Sequence, residues 1–198
     1  MSKKEGHVLD GPGMTTISRG ETAMQDGLRE AMSGLAAGVC VVTTWVEGRP
    51  WGMAVSSCCS LSMRPALLLV CLENSRTATR AILEQQRFGV NILRADQEHV
   101  ALRVSACGEP KFIDDFVLEG GAVSTPKIGG VLSFLHCELY DAIAVGDHTI
   151  AVGEVADVTL GYLADPLIYF RRRFCRITTP GAPDETGTRL PRRALGRG

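Results

Sequence analysis

Two short stretches carry the side chains with which this chain could bind or orient a small molecule. The first is Val55-Ser56-Ser57-Cys58-Cys59-Ser60-Leu61-Ser62, a strand-like run of small polar residues that ends in a turn at Arg64-Pro65. Backbone amides and hydroxyls on such a run can hydrogen-bond the polar edge of a flat ligand. They read equally as hydroxyls on a strand surface. The second stretch is Gly146-Asp147-His148-Thr149-Ile150, which sets a histidine on a tight turn between two alternating apolar runs. A turn histidine is either an idle solvent group or a ligand-orienting one. Between them, Ser75-Arg76-Thr77 stands at a predicted helix start. A helix N-terminus with a guanidinium is suited to phosphate, and Ser75 or Thr77 can also act simply as the cap.

Composition excludes several classes of function. The chain has 198 residues and a net charge of −1, so it suits one domain and has no general attraction for nucleic acid or an anionic membrane. Only its end is basic, from Arg171, Arg172, Arg173 and Arg176 to Arg197, and that run reads as a solvated tail. Its 7 cysteines form no C-x-x-C pair, and most sit in apolar surroundings. They read as reduced thiols in a cytoplasmic protein, not as a disulfide framework or a zinc site. His136 and Cys137 are adjacent, so on a strand they face opposite ways. No secretory signal or membrane-spanning run is expected.

The elements that must position these residues follow from periodicity. Residues 1–24 read as a flexible extension, 25–177 as one domain and 178–198 as a flexible tail. A helix is expected from a cap at Asp26, with Leu28, Met32 and Leu35 on one stripe and Gly38 at its end. Val39 to Val46 is a β-branched strand, and Trp51 to Ser60 pairs back on it across Glu47-Gly48. Ala66 to Leu72 is apolar throughout and reads as a strand buried on both faces. A helix to Gln85, a strand from Arg87 to Leu93 and a helix from Asp96 to Ala106 follow. Lys111 to Gly130 reads as a long functional or mobile loop. A hairpin over Leu135 to Leu160 and a last strand from Leu167 to Ile177 complete a mainly β domain with a few peripheral helices.

In order, these landmarks resemble the short-chain flavin reductase family, the reductase component of two-component flavin-dependent monooxygenases. The resemblance rests on Gly38-Val39-Cys40-Val41-Val42-Thr43-Thr44, the serine-rich strand, Ser75-Arg76-Thr77, Phe88-Gly89-Val90-Asn91, Gly146-Asp147-His148-Thr149-Ile150 and Pro166-Leu167-Ile168-Tyr169-Phe170. It spans roughly residues 26 to 177. It implies a Greek-key split β-barrel that binds FMN or FAD, a homodimer, and NADH or NADPH as hydride donor to flavin. A separate monooxygenase would receive the reduced flavin. It further implies that Val55, Ser56, Ser57, Cys58, Cys59, Ser60, Leu61, Ser62, Ser75, Arg76, Thr77, Tyr169 and His148 contact the cofactors. His148 is the expected catalytic-site residue, orienting the nicotinamide. Arg171 is a weaker candidate, and Phe112 or Phe116 either covers the ring or packs in the core. Cys58-Cys59 and Arg64 depart from the family pattern. The alternative on the same scaffold is a flavoprotein that retains FMN and acts directly on an organic substrate. A third possibility is a flavin-binding module without enzymatic activity.

Overall fold

The structure is a computed structural model that describes residues 20–106, 108, 110–118, 125–161 and 163–177, with the backbone of 8–9 and 15–16. The expected C-terminal tail lies outside these residues, as does most of the N-terminal extension. What is described there is one small antiparallel pair, β1 (Val8–Leu9) with β2 (Thr15–Thr16).

Helix α1 (Glu21–Ser33) starts earlier than its sequence suggests. Its first residue follows Gly20, and Asp26 lies inside the helix, ion-paired with Arg29 at 3.0 Å. Leu28 and Met32 are on this helix and Leu35 just beyond it, and all three remain exposed. The apolar stripe therefore does not pack on this chain's own core.

The main body is a seven-stranded antiparallel sheet in the order β5-β4-β8-β9-β10-β7-β6. Strand β4 (Cys40–Val46) turns through Glu47-Gly48, both at positive φ, into β5 (Arg49–Val55). Gly48 suits that left-handed position because it has no Cβ to clash. The serine-rich run is not a single strand. The chain leaves β5 at Val55, crosses at Ser56–Cys58, and resumes as β6 (Cys59–Met63) paired with β7 (Ala66–Glu73). Strand β8 (Arg87–Ile92) pairs with β4 and with β9 (Ser133–Val145), and β9 forms a long hairpin with β10 (His148–Leu160). The last segment is a tight hairpin, β11 (Ile168–Phe170) and β12 (Arg173–Cys175), in place of the single expected strand. Arg171 and Arg172, both at positive φ, make the turn, and β11 also pairs with β3 (Ala37–Gly38).

Two cores hold this sheet, and β4 is common to both. Cys40 and Val42 face a cluster with Val70, Leu72, Phe88 and Val90. Val39, just before β4, and Val41 face a second cluster with Val100, Val104, Ile113 and Ile128. The β-branched run is thus buried on both faces, and Phe88, fully buried, contributes about 1.5–3 kcal/mol of apolar burial. Strand β7 was expected to be buried on both sides, but only Leu68, Val70 and Leu72 are; Leu67, Leu69 and Cys71 are half-buried. Helix α2 (Thr77–Gln85) adds Ala78 and Ile82 to the first cluster, and α3 (Glu98–Ser105) adds Val100 and Val104 to the second. Leu102, also on α3, is exposed.

Part of the expected long loop is pinned to the sheet. Asn91 is fully buried; its Nδ2 donates to the Val41 carbonyl and Thr43 Oγ1, and its Oδ1 accepts from the Ile128 amide at 2.8 Å. Thr43 Oγ1 in turn donates to the Pro126 carbonyl at 2.6 Å.

The two sides of the sheet meet at a seam between β5 and β7. Ser57 Oγ donates to the Cys71 carbonyl at 3.1 Å and accepts from the Cys71 amide at 3.2 Å, so one hydroxyl stands in for a strand partner. This arrangement is consistent with the split barrel implied by the family resemblance. Replacing Ser57 by Val should remove both bonds and leave two backbone groups unpaired. The expected loss in stability is about 1–3 kcal/mol, read by urea unfolding; an unchanged midpoint would show that Ser57 does not close the seam.

Candidate functional site

The seam opens into a cavity of about 390 Å³. Val55, Ser56 and Ser57 line it from the crossing after β5, with Arg76 and His148 from other elements. A second cleft, of about 510 Å³, is lined by Ser75, Arg76 and Thr77 together with Trp51 and Phe112. Met53, Arg76 and Lys111 border both, so the two spaces adjoin. Each falls in the size range of small-molecule sites.

Fixed contacts bring His148 and Arg76 together across a long stretch of sequence. His148 opens β10 directly opposite Glu73, the last residue of β7. The Asn74 amide donates to the Asp147 carbonyl at 2.9 Å, and Thr149 Oγ1 donates to Asn74 Oδ1 at 2.7 Å. The turn before β10 is thereby tied to the turn before α2. Asp147 Oδ1 lies 2.6 Å from His148 Nδ1, and this hydrogen bond holds the Asp147 carboxyl below the usual carboxylate range.

Arg76 is not an isolated cation. Glu73 Oε2 accepts from its Nε at 2.7 Å and lies 2.6 Å from a terminal guanidinium nitrogen. Ser75 Oγ donates to Glu73 Oε1 at 2.5 Å. The Ser75 hydroxyl first, and Arg76 second, hold the Glu73 carboxyl below its ordinary value. Ser75 and Thr77 were possible helix caps, but neither caps α2; Arg76 holds the N-cap position without a side-chain bond. Thr79 Oγ1 instead donates to the Glu73 carbonyl at 2.8 Å. The first amides of α2 thus lack a side-chain cap, which is what a helix N-terminus needs to receive an anion.

Not all expected site residues gather here. Cys58 packs against the first core, hydrogen-bonded to the Cys40 thiol. That bond and burial raise the Cys40 thiol far above its normal range, and burial pushes Cys137 up to about 12. Cys40 and Cys137 are therefore protonated packing groups at neutral pH. Cys59, Ser60, Leu61 and Ser62 lie on β6 at the edge of the sheet, outside both cavities, and Ser62 Oγ accepts from the Arg64 amide at 3.2 Å. Tyr169 lies on β11 with its ring 5.5 Å from Phe174 and lines neither cavity. The Arg171 amide donates to the Ser33 carbonyl at 2.7 Å, tying the last hairpin to α1. Phe116 joins the second core and contacts His99, whereas Phe112 lines the larger cleft.

Sequence reading missed Met53, Lys111, Trp51 and Glu73. Glu73 had a signal, because it stands three residues before Arg76 at a helix start. Lys111 and Trp51 had none, because their position depends on a bridge between Trp51 and Phe112 formed only in the fold.

Known proteins resemble this chain along most of its length. A flavin reductase (NADH) from Kitasatospora aureofaciens is 36% identical over 154 residues, covering 76% of this chain and 81% of the relative. An actinorhodin polyketide dimerase from Streptomyces coelicolor is 33% identical over 176 residues, covering 87% and 98%. Among solved structures, the flavin reductase component of a bacterial two-component tryptophan halogenase superposes with a TM-score of 0.72 at 33% identity, covering 78% of this chain and 99% of that one. The family described as flavin reductase like domain matches residues 32–178, and this chain belongs to it.

Proposed function

We propose that the chain is an NAD(P)H-dependent flavin reductase that supplies reduced FMN or FAD to a separate monooxygenase. The observation that carries this reading is the seam cavity. It joins Ser56, Ser57, Arg76 and His148 in one space, in a chain of the flavin reductase-like family. When bound, the flavin accepts a hydride from the reduced nicotinamide and delivers reducing equivalents onward.

The protein's own residues bind and orient. The backbone of Val55–Ser57, outside the paired strands beyond Val55, offers hydrogen bonds to the polar edge of the ring. Arg76 and the uncapped start of α2 hold the phosphate, with Glu73 fixing the guanidinium in place. His148, anchored at Nδ1 by Asp147, has Nε2 as its remaining ring nitrogen to orient the nicotinamide. Close stacking of the two rings, more than proton transfer, is what the reaction requires. Cys58 to Ser62 and Tyr169 belong to the same reading as more distant cofactor contacts. Exposed Leu61 and Met63 on β6, with Tyr140, Ile143 and Val145 on β9, support a homodimer through that face. The six described cysteines are all free, which supports a cytoplasmic location.

A second reading is favoured by the similarity to the polyketide dimerase: a protein that retains FMN and acts directly on an organic substrate. Anaerobic mixing with NADH and excess free FMN or FAD separates the two. Multiple-turnover reduction of the free flavin is expected. Reduction of a single retained flavin would favour the second reading, and no reduction at all would overturn both.

Arg76→Ala should weaken flavin binding by about 1.5–3 kcal/mol, the loss of a charge-assisted contact; equal affinity in a fluorescence titration would place the phosphate elsewhere. His148→Ala should raise the KM for NADH well above any change in the KM for flavin, and an unaltered NADH KM would remove His148 from the site.

A further inference from the structure

We propose that Cys40 and Cys58 are a thiol pair oxidised by peroxide, and that their disulfide impairs the seam cavity as a flavin site. The flavin reductase reading, on which the source of the peroxide rests, gives these two side chains no task.

The fold brings the two thiols together where the seam begins. Cys40 opens β4 and stands opposite Val55, the end rung of the β4–β5 ladder. Cys58 ends the crossing between β5 and β6, one residue after Ser57. Both side chains pack in the first core, with their thiols hydrogen-bonded to each other. Cys40 is buried, whereas Cys58 is half-buried and follows directly on Ser56 and Ser57 of the cavity wall. One residue of the pair is thus within reach of a small oxidant, and the other is sheltered behind it. Cys137 shares this core, but burial pushes its thiol up to about 12. The bond from Cys40 lowers the Cys58 thiol, against the opposing effect of burial, and keeps Cys40 protonated. Cys58 is therefore the sulfur that reacts first, because the thiolate is the nucleophile.

Dioxygen that takes two electrons and two protons from reduced flavin leaves as hydrogen peroxide. A reductase whose product finds no acceptor therefore makes the oxidant beside Cys58. The Cys58 thiolate attacks one peroxide oxygen: the S–O bond forms, the O–O bond breaks, and the released hydroxide takes up a proton. Cys40 then attacks the Cys58 sulfur. The S–S bond forms, the S–O bond breaks, and the departing hydroxide leaves as water with the Cys40 proton. Two thiols lose two electrons to one peroxide, which becomes two waters.

A covalent link draws the crossing toward β4. Ser57, next in the chain, is held to Cys71 on β7 by the two bonds that close the seam. The link pulls against those bonds and displaces the backbone of the cavity wall. The pair is a brake that sets in when reduced flavin is not consumed, and a thiol reductant releases it.

Wild-type protein is oxidised with hydrogen peroxide, its remaining thiols are alkylated in denaturant, and its peptides are mapped by mass spectrometry without reductant. A linked Cys40–Cys58 peptide is expected, with an FMN Kd raised by about 3- to 30-fold in a fluorescence titration. Dithiothreitol should reverse both. In Cys40→Ala the same treatment should no longer move the FMN Kd. Recovery of Cys40 and Cys58 as alkylated thiols would overturn the proposal, as would a linked peptide with an unchanged Kd. Aerobic turnover with NADH and FMN should form the same link without added peroxide, and catalase should prevent it. NADH consumed without a link would overturn the self-supplied brake. A link and a raised Kd after added peroxide, in a protein that leaves NADH unspent, would show that the reductase reading had failed and the thiol pair had not.

Discussion

Most of what distinguishes this molecule follows from one break in pairing. A sheet of seven antiparallel strands, with β4 common to its two cores, brings its two sides together, and strand pairing is lost where β5 gives way to β6. At that point a serine hydroxyl carries the contact, with both of its bonds on Cys71. A side chain makes a smaller closure than a strand, so space remains beside it. Binding sites are commonly left where a scaffold is rigid around an interruption of this kind.

The electrostatics around the seam follow the same economy. Glu73 ends β7, and its carboxylate is committed to Ser75 and Arg76, while Asp147 is committed to His148. Arg76 and His148 are thus oriented by neighbouring carboxylates. Both carboxyls are exposed and held below their ordinary range, so they stay ionised above it. Each pair loses its orienting charge only as the pH falls through those lowered values. Exposure limits what such pairs add to stability, and their role here is geometric.

Local pattern made much of this visible in the sequence. The β-branched run Val41-Val42-Thr43-Thr44, the Glu47-Gly48 turn and the Gly146-Asp147 turn lie where periodicity and turn chemistry put them. Val55, Ser56, Ser57, Arg76 and His148, singled out in the sequence, line one cavity. The failures share a cause, which is that a run of residue types does not report where a strand must break. Val55 to Ser62 looks like one strand, yet it supplies two separate strands and the crossing between them. Leu28 and Met32 mark a helix face, with Leu35 just beyond its end, but not whether this chain supplies something to cover it. Trp51 and Lys111 gained their positions only through pairing of the distant loop with β5.

Flavin binding at the seam is tested most directly by a crystal structure of the protein soaked with FMN. The ring should lie against Val55–Ser57 beside His148, with its phosphate at Arg76 and the start of α2. A flavin seated away from the seam would contradict the account.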